Sequence, residues 1–177
     1  FRYDDPFSKR ILNNINLNIP YGKMTAIVGI SGVGKTTLIK LLLGFYPPEE
    51  GEILIGETPL DMIDITQWRN RCGVVMQDGF IFSDTIANNI CIKADSIDAD
   101  RLLYATDVAN ITDYIMSLPL KYNTIIGEEG VGLSQEQKQR ILIARAVYKN
   151  PDFIFFDEAT NALDTKSEKT IVTNLAH

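Results

Sequence analysis

One eight-residue stretch restricts what this chain can fold into more than any other. Gly29, Ile30, Ser31, Gly32, Val33, Gly34, Lys35 and Thr36 follow in order, at the spacing GxxxxGK[ST]. Met24 to Val28, just before, is a short apolar run suited to a strand, and Thr37 to Leu43, just after, has amphipathic helical spacing. Strand, glycine-rich loop and helix in that order make a phosphate-binding unit. The glycines let the backbone turn tightly and aim its N–H groups at phosphate oxygens. Lys35 brings a point charge for the β- and γ-phosphates, the Thr36 hydroxyl is a Mg²⁺ ligand, and the helix adds its positive N-terminal end. A glycine-rich turn with a solvated lysine is the plainer alternative, and the flanking strand and helix argue against it. The expectation is a Mg-ATP site at Gly29–Thr36, with Thr37 beside it.

A second stretch has a complementary character. Phe153 to Phe156 is an apolar run suited to a parallel strand covered on both faces, and it ends in Asp157 and Glu158. Buried, unpaired carboxylates are costly, so both belong at the strand's open C-terminal end, where open α/β sheets bind ligands. Asp157 then holds Mg²⁺, and Glu158 orients or deprotonates the attacking water.

The rest of the chain reads as α/β. Ile11, Ile15, Leu17 and Ile19 alternate as short strands do, and Glu52–Ile55 and Gly73–Met76 are further strand candidates. Thr36 to Leu43 is a helix ended at Gly44. Thr85 to Met116 is helical in pattern and suggests a helical subdomain inserted into an α/β core. Ser134 to about Tyr148 is a helix, and a last helix starts near Thr165. Strands alternating with helices place the chain in the α/β class, as a single domain with 1–77 and 150–177 as core and about 78–149 as helical subdomain.

Charge and composition exclude several functions. The net charge of -6 speaks against a nucleic-acid partner, which calls for a basic face. Cys72 and Cys91 lie in no CxxC or Cys/His cluster and read as buried thiols. The single histidine is His177, the last residue, so no internal imidazole is available for catalysis. No run reaches transmembrane length, so the chain is expected to be soluble; it starts abruptly in a strand-like segment and looks cut from something longer.

Taken together, these motifs resemble the nucleotide-binding domain of ABC transporters over nearly the whole chain. Tyr3 resembles the aromatic that stacks on adenine; its plainer reading is an ordinary strand aromatic. Gln77, in VVMQD, resembles the glutamine that reaches Mg²⁺ and the water and couples the site to the membrane domains. Leu133–Gln137, LSQEQ, stands where the LSGGQ signature stands, with Ser134, Gln135, Glu136 and Gln137 contacting the ATP of a second copy. Asp164 resembles the D-loop aspartate of the dimer interface. The stretch GFIFSDTIANNI and the segment Ile126–Gly130, IGEEG, are similar to the exporter branch, and the overall look is closest to bacterial peptide or bacteriocin-processing exporters. The resemblance implies a P-loop NTPase core with an antiparallel β edge and an inserted helical subdomain. It also implies ATP and Mg²⁺ as cofactors and catalysis by Glu158 with Gln77. The implied partners are a second nucleotide-binding domain, head to tail, and exporter transmembrane domains, at the cytoplasmic face of the inner membrane. A degenerate nucleotide-dependent dimerisation module and a non-transport ABC ATPase are the alternative readings.

Two departures stand out. The signature carries Gln135 and Glu136 where the family has two glycines. Ser134 and Gln137 form a capping-box pattern, and Glu136 suits a helix N-terminus. Facing a γ-phosphate about 4 Å away, Glu136 is repelled by roughly 4 kcal/mol at an effective dielectric of about 20, unless it rotates away. The family's switch histidine follows a further strand beyond the last helix, so His177 does not match it, and the chain is expected to lack the final strands and to show little steady ATPase activity alone.

Overall fold

The computed structural model describes residues 1–3, 8–92, 96–157 and 165–175. They belong to two compact units, Phe1–Arg69 and Asn70–His177.

The first unit is built around helix α1, Lys35–Leu42. It ends because Gly44 takes φ +67°, and the Phe45 and Gly44 N–H groups bond back to the Lys40 and Leu41 carbonyls, each at 2.9 Å. This is a Schellman stop, and it needs glycine twice over: a Cβ at Gly44 would come within 2.2 Å of Ile65 Cδ1. Helix α2, Ile65–Asn70, starts at Asp64, whose carboxylate accepts from the Gln67 N–H at 2.8 Å. It lays Trp68 and Arg69 over the end of α1. Trp68 Nε1 donates to the Leu42 carbonyl at 2.9 Å, and Arg69 donates to those of Leu43 and Gly44 at 3.1 and 2.8 Å. The carbonyls that every helix C-terminus leaves unpaired are thereby satisfied. Among the described residues of this unit, Ile39, Leu41, Leu43, Leu60 and Trp68 are the buried apolar ones. Between the helices lies a two-stranded antiparallel ribbon, β1 (Leu54–Ile55) with β2 (Thr58–Pro59).

The strands expected over Ile11–Ile19 and Met24–Val28 do not form ladders among the described residues. Met24 is 63% and Val28 93% exposed. An apolar run is held as a strand only when a neighbouring strand pairs its backbone and another layer covers its face. Here the Phe1 carbonyl instead accepts from the Ile11 and Leu12 N–H groups at 2.9 and 3.2 Å.

The second unit places β3 (Cys72–Val75) parallel to β6 (Phe153–Phe156), with Val75 opposite Phe156. The helical pattern of Thr85–Met116 resolves into α3 (Ile86–Ile90), α4 (Ala99–Val108) and α5 (Thr112–Ser117). Thr85 and Asp98 cap α3 and α4 through their side chains, and Asn110, at φ +54°, ends α4. A short antiparallel pair, β4 (Asp84–Thr85) with β5 (Ile125–Ile126), was not anticipated. Helix α6, Gln135–Tyr148, runs through the middle of the unit, and α7, Thr165–Leu175, packs Ile171 into the same core. That core contains Val75, Ile86, Ile90, Ile115, Ile141 and Ile143, so the end of β3 and the helices share one apolar interior. No helix among the described residues is long and apolar enough to cross a membrane.

Candidate functional site

The loop runs from exposed Gly29–Val33 into half-buried Gly34–Thr36 at the N-terminus of α1. Gly32 and Gly34 have φ +78° and +102°, the left-handed values that the spacing of glycines foreshadowed. Gly34 is also crowded, since a Cβ there would lie 2.9 Å from both Ile11 Cγ2 and Leu12 Cδ2. The Lys35 ammonium folds back over the loop and donates to the Gly29 and Ile30 carbonyls at 2.9 and 3.0 Å. No side chain caps α1, and its first turn contains no acidic residue. A cation and the positive end of a helix therefore meet at one loop, with no nearby carboxylate on that turn to offset them. This suits a polyphosphate. Ile30 and Val33 are exposed; Thr36 is half-buried, while Thr37 is buried under Tyr3, whose hydroxyl lies 3.1 Å from Thr37 Oγ1.

Gln77 and Asp157 leave the same end of the second unit's parallel sheet. Gln77 follows Val75 by two residues and is exposed; Asp157 follows Phe156, is buried, and donates its N–H to the Val75 carbonyl at 2.9 Å. Parallel pairing puts both at the carboxyl ends of adjoining strands, as the ligand-binding edge of an α/β sheet requires. Within the second unit, Gln77 and Asp157 offer an amide oxygen and a carboxylate, hard oxygen donors of the kind Mg²⁺ takes, and Thr36 offers a hydroxyl in the first unit. Glu158, Asp164 and His177 lie outside the described residues.

The signature segment forms as its pattern predicts. Ser134 Oγ accepts from the Gln137 N–H at 3.1 Å, and Gln137 Oε1 accepts from the Ser134 N–H at 2.9 Å, a complete capping box. Gln135 is exposed. The Glu136 carboxylate pairs with Arg140 Nη2 at 2.5 Å, one turn along. Arg140 also donates to the Asn110 carbonyl at the end of α4. The negative charge at the helix N-terminus thus has a cation beside it. Past the end of β5 at Ile126, the segment to Gly130 turns with Glu128 and Glu129 exposed, closed by a bond from the Val131 N–H to the Ile125 carbonyl at 2.9 Å.

Sequence reasoning missed the residues that brace the segment after Gln77. Asn89 is fully buried, and its Oδ1 accepts from the Phe82 N–H at 2.8 Å while its Nδ2 donates to the Phe82 and Thr85 carbonyls at 3.0 and 3.1 Å. Arg145, from α6, donates to the Asn89 and Phe80 carbonyls at 2.7 and 2.8 Å and lies over the Phe82 ring at 5.6 Å. Burial pulls its pKa down to about 10, so it remains charged at neutral pH. The signal for Arg145 was available: a lone cation in the apolar run Ile141–Tyr148 needs partners. Asn89 had no such signal, since Asn88 beside it looks the same in sequence and is exposed.

Comparisons with known proteins agree with one another. The family model described as ABC transporter matches residues 12–161. The Leukotoxin translocation ATP-binding protein LktB of Mannheimia glucosida is 46% identical over 175 residues, covering 99% of this chain and 25% of that protein. The proteins of the same name from Mannheimia haemolytica and Bibersteinia trehalosi give the same figures. A solved structure, described as a bacterial Atm1-family ABC exporter with ATP bound, superposes with a TM-score of 0.92 at 40% identity, covering 100% of this chain and 31% of that one. The chain thus spans about a quarter of the length of the curated relatives it matches.

Proposed function

The chain belongs to the ABC transporter family, and from that premise we propose that it is the ATP-binding, ATP-hydrolysing motor domain of an exporter. The observation that carries this reading is the phosphate loop: Lys35 folded onto the Gly29 and Ile30 carbonyls, at the head of an uncapped helix free of first-turn acids. Residues 1–77 and 150–177 serve as the α/β core and about 78–149 as the helical subdomain. The backbone of Gly29–Thr37 and the Lys35 ammonium bind the phosphates. Tyr3 stacks on the adenine. Thr36, Asp157 and Gln77 hold Mg²⁺, which when bound neutralises charge on the β- and γ-phosphate oxygens. Gln77 and Glu158 position the attacking water, and Glu158 accepts its proton.

Ser134, Gln135, Glu136 and Gln137 face the ATP of a second copy, and Asp164 lies at the interface of that head-to-tail pair. The partners are a second nucleotide-binding domain and the transmembrane domains of the exporter, and the working location is the cytoplasmic face of the inner membrane. The names of its relatives, a leukotoxin translocation protein and an Atm1-family exporter, support export as the direction of transport. The net charge of -6 supports a role without nucleic acid.

One observation favours a second reading, a nucleotide-dependent dimerisation module with little turnover. Glu136 occupies the signature helix's first turn, with its charge shared by Arg140 rather than removed. A single-turnover assay on the full-length dimer separates the two. Conversion of bound ATP to ADP that disappears in Glu158→Gln supports the motor; ATP retained unhydrolysed in the parent protein supports the module.

A further inference from the structure

Tyr3 is held from three directions. Its hydroxyl lies 3.1 Å from Oγ1 of buried Thr37, in the first turn of α1. Its ring meets Phe1 at 5.2 Å and 84°, and Tyr46 at 5.1 Å and 80°. These are favourable edge-to-face contacts. Both neighbouring rings stand nearly perpendicular to Tyr3, so neither stacks on it in the parallel manner of a planar base.

These restraints divide the work. Anchoring the hydroxyl fixes the long axis of a tyrosine side chain but leaves the ring free to turn about that axis, because the outer torsion of an aromatic side chain is broad. The flanking rings remove this remaining freedom, and with it the uncertainty in where the face of Tyr3 points. Tyr46 is itself well placed to do so. It follows the Schellman turn at Gly44 by two residues, and Arg69 clamps that turn through the Leu43 and Gly44 carbonyls and lies 4.6 Å over the Phe45 ring. Three residues past Tyr46, Glu49 accepts the Arg2 backbone N–H at 2.7 Å and pairs with its guanidinium at 3.2 Å. The segment bearing Tyr3 and the turn bearing Tyr46 are thus joined by backbone, charge and ring contacts.

We infer that Tyr46 is a positioning residue for adenine-nucleotide binding, fixing the plane of the Tyr3 ring on which the base stacks. The inference rests on the reading of Tyr3 as the base-stacking residue. A pre-oriented ring spares binding the cost of ordering it, so Tyr46 contributes to affinity for the base and not for the phosphates.

Calorimetric titration of the full chain with Mg-ATP and with Mg-tripolyphosphate, which lacks the base, tests this. In Tyr3→Ala, ATP affinity should fall about tenfold, the loss expected for one base–aromatic stack. In Tyr46→Ala, and in Tyr46→Leu, which keeps apolar bulk in the turn, ATP affinity should fall several-fold. Tripolyphosphate affinity should stay at the parent value in Tyr46→Ala and Tyr46→Leu, and Tyr46→Phe should match the parent with both ligands. Parent-like ATP affinity in Tyr46→Ala and Tyr46→Leu, with Tyr3→Ala weakened, overturns this inference alone. Equal losses for both ligands also overturn it, because they indicate general damage to the loop. Parent-like ATP affinity in Tyr3→Ala overturns the base-stacking reading together with the inference.

Discussion

Glu136 is where this chain departs most from its family's signature, and its surroundings decide what the departure does. The carboxylate sits in the first turn of α6, where a negative charge stabilises the helix, and is paired at 2.5 Å with Arg140. The Arg140 guanidinium, largely buried and also bonded to the Asn110 carbonyl, stays beside it. In the proposed head-to-tail pair, Arg140 would lower the repulsion of a docking γ-phosphate below the roughly 4 kcal/mol of a bare carboxylate at 4 Å, without removing it. In a Glu158→Gln background with Mg-ATP, sedimentation should show stronger dimerisation for Glu136→Gly than for the parent, and weaker dimerisation for Arg140→Ala. Equal dimerisation in all three would show that this charge does not govern closure. The pairing could have been suspected, because Glu136 and Arg140 are four apart on a helix. The Asn110 contact could not, since it depends on how α4 ends against α6.

At the scale of elements, two side chains hold backbone that would otherwise be unpaired. Ser134→Ala removes half of the capping box at the start of α6 and should cost about 1 kcal/mol in denaturant unfolding. Asn89→Ala removes a fully buried amide that bonds the Phe82 N–H and the Phe82 and Thr85 carbonyls and should cost about 1–3 kcal/mol, with Asn88→Ala well below it. A larger loss for Ser134→Ala than for Asn89→Ala would contradict the ranking by burial. The helices α1, α6 and α7 were legible because apolar spacing and end signals coincide, as at Ser134 and Gly44. Strand β6 was legible because Phe153–Phe156 is apolar throughout. The runs at Ile11–Ile19 and Met24–Val28 were misleading: alternation reports a segment's fitness for a sheet, whereas a ladder also requires a partner strand. Strands β4 and β5, only two residues each, are too short for any periodicity to register.

At the scale of the whole molecule, buried groups set the response to pH. Burial pushes the Cys72 thiol from 9.0 up to about 11, and burial likewise raises Cys91. Well below pH 9 both thiols are protonated whether the chain is folded or not, so their contribution is fully present. Between about pH 9 and 11 the unfolded chain ionises Cys72 while the folded chain does not, and stability should fall across that window. Cys72→Ala should flatten the fall in a thermal-melt series; an unchanged slope would contradict the assignment. The candidate site is read from its residue chemistry, whereas its supports appear only in the fold. The residue types of Gly29–Thr36, Gln77 and Asp157 announce phosphate and Mg²⁺, whereas Tyr46, Asn89, Arg140 and Arg145 act only through the neighbours that folding gives them. The proposed function depends on polyphosphate binding by that loop. Calorimetric titration of the chain and of Lys35→Ala with Mg-ATP measures it directly. Saturable binding that is lost or weakened at least tenfold in Lys35→Ala is the predicted result, and undiminished affinity in Lys35→Ala would contradict it.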